Sequence, residues 1–270
     1  MMEEINSITN PFIKMAASLK QKKYRMELEL FAIEGVRFAE EVITSDWEAQ
    51  HCLYTREAAK GDRVKRILSD LAKRKCRLIQ VNDSVYERIS DTEHPQGIMV
   101  IVKRKNYCLA DLTISDQTPF LVLLDCVQDP GNVGAIIRTA DAAGCTGVIL
   151  TNGCADLFSG KTLRSSMGSI FHLPIVTGAE TASIQVFFAN HGISIAAACL
   201  ETPLLHWEAA LTGPLAIVFG NEGSGVSHEW LVSAKSKLRI PIYGKAESLN
   251  VASAAAVFLY EAARQRRACL

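Results

Sequence analysis

Short apolar runs alternate with amphipathic segments along the first hundred residues. Runs with the length of strands occur at residues 30–33, 51–54, 78–81 and 96–102. Residues 36–43 and 64–71 instead place apolar side chains at the spacing of one helical face. Strands that alternate with helices are typical of α/β domains. The pattern therefore predicts a small α/β domain over residues 1–105.

A second alternating pattern begins at Pro119, and its strands are apolar at every position. The apolar runs predict strands at residues 120–124, 148–150, 193–197, 215–219 and 238–242. We predict a short helix over residues 135–143, ended by Gly144, and a long Ala-rich helix over residues 251–266. Fully apolar strands are typical of a parallel sheet covered by helices on both faces. The sequence thus predicts a second α/β domain over residues 119–270, after a polar, turn-rich linker over residues 106–118.

Composition places the chain among globular proteins. Of its 270 residues, 49% are hydrophobic and 21% are charged, which fits a protein with a substantial core. The longest apolar runs fall far short of the ~20 residues that cross a bilayer. The N-terminus lacks the pattern of a signal peptide. These features predict a cytoplasmic protein that does not associate with membranes.

Eight cysteines are scattered along the chain without a C-x-x-C pair. Zinc sites usually show close cysteine pairs, and disulfide frameworks usually belong to smaller secreted chains. We therefore expect free thiols in a reducing compartment and no bound metal.

The charge distribution does not favour a general attraction to nucleic acids. The chain has 29 Lys and Arg against 29 Asp and Glu. Residues 1–110 hold 19 basic against 16 acidic side chains, and the remaining 10 basic and 13 acidic residues lie in the second half. A nucleic-acid partner would therefore need local basic patches. Two such clusters occur, at residues 20–25 and 73–77.

The first of three unusual loops follows the strand predicted at residues 120–124. In parallel α/β sheets, ligands bind at the carboxyl ends of the strands, so these loops are where chemistry is expected. Asn132 is a candidate N-cap of the following helix. Arg138 is the one charged residue between Val133 and Ala140. We expect this arginine to be sunk among apolar neighbours and to bind a phosphate or carboxylate through its planar guanidinium.

The other two loops combine flexible backbone with isolated polar residues. Residues 217–226 run from a buried strand into three glycines around a single carboxylate, Glu222. Glycines let the backbone approach a ligand closely. In the third loop, Ser248 and Asn250 precede the last predicted helix and flank one apolar residue. We expect one of the two to cap that helix and the other to face a ligand.

A fourth segment resembles a phosphate-binding loop. Residues 155–162 end in Gly-Lys-Thr, but the first glycine of the G-x-x-x-x-G-K-[ST] pattern is replaced by Ala155. Nucleotide hydrolysis is therefore a weak alternative.

Taken in order, the three loops resemble the three motifs of SpoU-type (TrmH-like) RNA 2′-O-ribose methyltransferases of the SPOUT superfamily. The matching segments are residues 132–138, 219–225 and 240–251. Residues 8–14, 31–37 and 95–98 are similar to the family's ribosomal-protein-like RNA-binding module. The resemblance implies that the second domain is a parallel sheet tied in a deep trefoil knot, an exception to the rule that chains avoid threading loops. It also implies S-adenosylmethionine (SAM) as cofactor and a homodimer.

The resemblance assigns roles to individual residues. Those implied to bind SAM are Phe219, Gly220, Asn221, Ile240, Leu249 and Asn250. Those implied to act in catalysis are Arg138, Asn132, Glu222, Ser248 and Asn250. Candidate RNA contacts are Lys20, Lys22, Lys23 and Arg25 in the first domain and Arg164 and Ser165 in the second.

The implied activity is the transfer of a methyl group from SAM to a ribose 2′-hydroxyl of structured RNA. Guanosine is among the nucleotides that the resemblance implies as targets. The N-terminal module favours ribosomal RNA over transfer RNA. Because a guanidinium is effectively always protonated, we expect Arg138 to orient the ribose and stabilise negative charge on its oxygen rather than act as a base. Transfer-RNA methylation, methylation of a base, and a non-catalytic RNA-binding protein that keeps the knotted fold are the alternatives.

Overall fold

The computed structural model describes residues 3–112 and 117–268. The chain divides into two compact units. The first unit runs to Lys105 and includes residues Phe158–Leu163; the second contains the rest. Residues 109–112, predicted as part of a linker, instead form a short 3₁₀ helix in the second unit, where Leu112 is buried beside Leu121. Residues 113–116 of that predicted linker lie outside the described residues.

Among the described residues, the first unit contains five strands and five α-helices. The strands are β1 (Glu3–Ile5), β2 (Leu30–Glu34), β3 (Ala49–Thr55), β4 (Arg77–Val81) and β5 (Ile98–Lys103). The helices are α1 (Pro11–Ser18), α2 (Lys22–Leu28), α3 (Val36–Thr44), α4 (Asp62–Lys73) and α5 (Asp83–Ile89). One sheet has the order β1-β4-β3-β5-β2, in which β5 is antiparallel to both neighbours and the other pairs are parallel. The predicted strands and helices of this half are present, and β1, α1, α2 and α5 are additional.

Side chains that cap helices explain two of the additional elements. The Asn10 side chain accepts a hydrogen bond from the Phe12 backbone N–H, and Pro11 occupies the first turn of α1. Asn82 accepts from the Val85 backbone N–H at the start of α5. Both are standard N-cap arrangements, which satisfy backbone N–H groups that a helix leaves unpaired. These helices are short, so their apolar periodicity is weak and the caps are their main sequence signal.

Two basic residues predicted to contact RNA form hydrogen bonds with groups of the first unit itself. Arg25 is only 5% exposed, and its guanidinium donates to the carbonyls of Leu19 and Lys20 at 2.7 and 2.8 Å. The prediction for Arg25 is therefore wrong, because a guanidinium held inside the fold is not available to a phosphate. The Lys20 ammonium donates to the Ser90 carbonyl at 2.6 Å and pairs with Asp91 at 3.2 Å. Lys22 and Lys23 are exposed, so their RNA contacts remain predictions.

The described residues after Lys105 add six strands and five α-helices. The strands are β6 (Phe120–Leu124), β7 (Gly147–Leu150), β8 (Ile175–Thr177), β9 (Ser194–Ala198), β10 (Leu215–Phe219) and β11 (Ser236–Leu238). The helices are α6 (Pro130–Ala143), α7 (Gly160–Ser166), α8 (Thr181–Asn190), α9 (His228–Ser233) and α10 (Val251–Ala268). All strand pairs in the sheet are parallel, in the order β11-β9-β10-β6-β7-β8. The predicted parallel α/β domain is confirmed.

Helices cover both faces of this sheet, as fully apolar strands require. Helices α6 and α10 pack against each other, and Ala255, Leu259 and Ala262 of α10 are fully buried. On the other face, α8 and α9 contribute Phe188 and Trp230 to a cluster with the strands. Strand β11 ends at Leu238, earlier than predicted. Pro241 cannot donate a ladder hydrogen bond, so the chain leaves the sheet before it.

The described residues show neither a helix suited to span a membrane nor a cluster of metal ligands. None of their helices combines the length and apolarity that crossing a bilayer would need. They also hold no group of three or more potential metal ligands. The seven described cysteines are free thiols, and Cys269 lies outside the described part of the chain.

Candidate functional site

A cavity of about 500 Å³ opens at the carboxyl edge of the parallel sheet in the second unit. Its walls come from the ends of β9, β10 and β11, from the loops that follow them, and from one face of α10. All six residues predicted to bind the cofactor line it: Phe219, Gly220, Asn221, Ile240, Leu249 and Asn250. Glu222 and Ser248 line it as well. The structure therefore brings the second and third sequence motifs together around one cavity.

The loop after β10 is closed tightly on itself. Asn221 and Gly225 exchange two backbone hydrogen bonds, at 3.0 and 2.9 Å. The Asn221 side chain accepts from the N–H groups of Gly223 and Ser224 and donates to the Cys126 carbonyl at 2.9 Å. A Cβ atom on Gly220 would lie 2.1 Å from the Gly225 carbonyl carbon, so a side chain has no room there. The backbone of this loop is thus fixed in shape against the loop that follows β6.

A chain of three polar side chains joins all three motifs. The Asn250 amide donates to Asn132 Oδ1 at 3.0 Å, and the Asn132 amide donates to Glu222 Oε1 at 2.9 Å. The Glu222 carboxylate also accepts from the backbone N–H groups of Gln128 and Asp129, at 3.2 and 3.1 Å. These bonds hold the beginning of α6, the loop after β10 and the start of α10 in one arrangement.

The hydrogen bonds to Glu222 also set its charge. Partial burial alone would raise the pKa of Glu222, but donation by the Asn132 amide and by backbone N–H groups outweighs burial. The pKa of Glu222 therefore lies below its ordinary value of 4.5. The carboxylate stays ionised at neutral pH and keeps its acceptor role in the site.

Replacing Glu222 by Gln should make the stability of the protein less dependent on acid pH. A carboxylate whose pKa is lowered by folding stabilises the fold above its unfolded-state pKa, and this contribution disappears as the pH falls through the folded-state value. We expect the melting temperature of Glu222→Gln to lie below that of the wild type above about pH 5, with the gap narrowing at lower pH. Thermal unfolding of both proteins between pH 3 and 8 measures this, and a gap that is constant over the whole range would contradict it.

Two expectations about the first motif need correction. Asn132 does not cap α6, because the cap is Asp129, whose side chain accepts from the Asn132 backbone N–H at 2.9 Å. Asn132 thus lies inside the first turn, and its amide is free to join Asn250 and Glu222. Arg138 is not sunk among apolar residues but exposed on α6. No protein group within the described residues forms a hydrogen bond or ion pair with its guanidinium.

One of the two polar residues of the third motif caps α10, and the ligand contact expected of the other remains a prediction. Asn250 Oδ1 accepts from the N–H groups of Ala252 and Ser253 and so caps α10. Ser248 is exposed and lines the cavity. Asn250 has a second role, since its amide reaches Asn132. Arg164 is exposed and Ser165 half-buried on α7, and neither lines the cavity, so their RNA contacts remain predictions.

Sequence reasoning missed several residues of the cavity wall. Cys199 and Leu200 follow β9, Arg239 follows β11, and Phe258 projects from α10. The rule that ligands bind at the carboxyl ends of parallel strands pointed to the loop after β9. Phe258 had no such signal, because an apolar residue in an apolar helix looks like ordinary core.

Both parts of the chain match known protein families. Residues 119–260 match the SpoU rRNA Methylase family, and residues 10–100 match the MRM3-like substrate binding domain. The chain belongs to the SpoU rRNA methylase family. It is 36% identical over 259 residues to the 23S rRNA (guanosine(2553)-2′-O)-methyltransferase RlmP of Bacillus subtilis, which covers 96% of this chain and 98% of the relative.

Solved structures of the family have the same fold over the whole chain. An rRNA methyltransferase of Sinorhizobium meliloti with bound AdoMet, which is SAM, superposes with a TM-score of 0.88 at 33% identity, covering 100% of this chain and 99% of that one. The SpoU methyltransferase AviRb of Streptomyces viridochromogenes, in complex with AdoMet, gives 0.87 at 27% identity, covering 96% and 100%. The SPOUT fold is therefore confirmed, and the knot itself remains an expectation from the family.

The cavity fits the cofactor of these relatives. Its volume lies in the ~300–1,000 Å³ range typical of small-molecule sites. Phe219, Ile240 and Leu249 offer apolar surface for an adenine ring, and Gly220 contributes backbone without a side chain. Such walls, with backbone polar groups beside them, suit a nucleoside.

Proposed function

We propose that this protein transfers a methyl group from SAM to a ribose 2′-hydroxyl of ribosomal RNA. The observation that carries the proposal is the Asn250–Asn132–Glu222 chain, which joins the three motifs at the rim of a cavity of cofactor size. In this proposal residues 119–270 bind SAM, and residues 1–105 bind the RNA. Ribosomal RNA is favoured because the first unit matches a substrate-binding domain and the relatives named above are rRNA methyltransferases. A ribosomal substrate also fits the cytoplasmic location expected from the sequence.

The chemistry divides between the cofactor and the protein. SAM supplies a methyl group on a positively charged sulfur, so the bond from sulfur to methyl breaks as the bond from the ribose oxygen forms. The protein must align the 2′-hydroxyl with that methyl group and let its proton leave. Arg138 has an exposed guanidinium that no described residue pairs with, which suits it to hold the ribose and its phosphate and to stabilise charge on the oxygen. The proton then passes to phosphate or water.

We propose guanosine as the methylated nucleotide. The support is the relative from B. subtilis, which acts on a guanosine and is 36% identical to this chain. A relative from S. viridochromogenes named as a uridine methyltransferase is 29% identical. Nucleotide choice within the family thus varies, and the higher identity favours guanosine.

We further propose that the protein acts as a homodimer. Large apolar side chains are exposed on the third-motif loop and on α10: Tyr243, Leu249, Val257 and Tyr260. Tyr243 is 89% exposed, which is unusual for an aromatic residue so near a binding cavity. A second copy of the chain would cover these side chains. Sedimentation analysis of the wild type and of the Tyr260→Glu variant measures the oligomeric state. A monomeric wild type would contradict the proposed homodimer.

The direct test is to express the protein in a B. subtilis strain that lacks its relative and to map 2′-O-methyl groups on the 23S rRNA. A ribose methyl group blocks alkaline cleavage of the adjacent backbone, so the mark appears as a gap in the hydrolysis ladder. We expect the missing mark at the relative's guanosine to return. Matched assays with purified protein, labelled SAM and unmodified rRNA or tRNA separate the alternatives. Methyl transfer to tRNA alone, label on a base, or SAM binding without transfer would each contradict the proposal.

A further inference from the structure

One charged side chain on the cavity wall has no partner among the residues that the structure describes. Arg239 is the only cationic residue among the residues that line the cavity, and it is half-buried there. In the described part of the chain its guanidinium makes no hydrogen bond or ion pair. Partial removal of a guanidinium from water without a compensating partner is unfavourable. A half-buried, unpaired arginine in a ligand cavity therefore predicts an anionic group on the ligand.

The carboxylates of the cavity do not fill this role. Glu222 is held by three donors, from Asn132 and the backbone of Gln128 and Asp129. Glu247 also lines the cavity, but it is exposed and forms no ion pair with Arg239. No carboxylate among the described residues therefore pairs with Arg239, and we expect the anion to be part of a ligand.

Two backbone hydrogen bonds hold Arg239 in place at the cavity wall. Its N–H donates to the Leu204 carbonyl at 3.0 Å, and its carbonyl accepts from the His206 N–H at 3.0 Å. These bonds hold the chain just after β11, next to the wall formed by Ile240. From this position the planar guanidinium of Arg239 can bind a carboxylate in bidentate fashion.

We propose that Arg239 binds the carboxylate at the amino-acid end of SAM. This inference rests on the proposed function, in which the cavity holds SAM. The cofactor has one carboxylate, and the apolar walls at Phe219, Ile240 and Leu249 suit its adenine rather than that charged end. Arg239 is then a specificity residue that distinguishes SAM from adenosyl compounds that lack the carboxylate.

The test compares four ligands by calorimetry: SAM, S-adenosylhomocysteine, decarboxylated SAM and 5′-methylthioadenosine. The last two lack the carboxylate and share the adenosyl group and sulfur. In the wild type we expect SAM to bind about tenfold or more tightly than decarboxylated SAM, as fits a charge-assisted hydrogen bond. Arg239→Met should weaken SAM and S-adenosylhomocysteine by a similar factor and leave the two ligands without a carboxylate within about twofold. Arg239→Lys should recover part of the affinity.

Lys237 provides the matched control. It carries the same charge two residues earlier on β11, is exposed, and does not line the cavity. Lys237→Met should change none of the four affinities. Equal weakening of all four ligands in Arg239→Met would show a structural role and overturn the inference. So would unchanged SAM affinity with weaker RNA binding, because the anion would then be a phosphate. A wild type that binds SAM but not more tightly than decarboxylated SAM overturns this inference alone, whereas a wild type that binds no SAM overturns the proposed function.

Discussion

Replacing Arg138 by Ala should reduce the rate of methyl transfer by at least about 10²-fold, the range found when a donor that stabilises transition-state charge is removed. Affinity for SAM should change by less than about twofold, because Arg138 does not line the cavity. The physical reason for the loss of rate is that the guanidinium is exposed on α6 and has no partner in the described part of the chain, so it can bind substrate. Single-turnover methylation of rRNA measures the rate, and calorimetry measures SAM binding.

Two further variants make the Arg138 experiment specific. Arg138→Lys keeps the charge but loses the planar fork, so we expect partial recovery of the rate. Arg267→Ala removes another exposed arginine of the second unit, near the end of α10, and should leave the rate nearly unchanged. A loss of SAM binding together with the rate in Arg138→Ala would show that this residue supports the fold instead of the reaction.

The parallel sheet of the second unit was predictable because its signals are strong. Strand β10 is apolar at all five positions and has the bounds that the pattern predicts, and α6 ends at Ala143 before a left-handed glycine, Gly144, as expected. The loops with chemistry were predictable from the strand ends. The contacts between them were not, because the Asn132–Glu222 hydrogen bond joins residues ninety positions apart.

Errors arose where the local surroundings of a residue, which the sequence pattern does not show, decide its role. Asp129 and Asn132 are both good cap residues, and the choice depends on where Pro130 starts the helix. Arg25 belongs to a basic cluster by sequence, yet the turn between α1 and α2 presents two carbonyls that draw its guanidinium inside. Sequence pattern gives the charge of such a residue, whereas its surroundings decide whether the charge serves the fold or a ligand.

The most severe effect on the cavity should come from a single methyl group. In Gly220→Ala the new Cβ would lie 2.1–2.2 Å from the backbone of Gly225 and Val226, far inside van der Waals contact. Because these atoms are backbone, the loop itself must move, which costs roughly 1–3 kcal/mol and breaks the exchange of hydrogen bonds between Asn221 and Gly225. We expect SAM binding to fall below detection.

Gly223→Ala is the control for this effect, since it adds the same methyl group to the same loop. There the nearest atom to the new Cβ would be Asn221 Oδ1 at 3.5 Å, an ordinary contact, so SAM affinity should stay within about threefold of the wild type. Calorimetry with SAM and the melting temperature of each variant measure the two effects separately. If Gly220→Ala binds SAM normally, the loop is not rigid and the cavity walls do not depend on its backbone. If both variants lose binding with unchanged melting temperatures, the loop contacts the cofactor along its whole length, and the steric explanation for Gly220 alone is wrong.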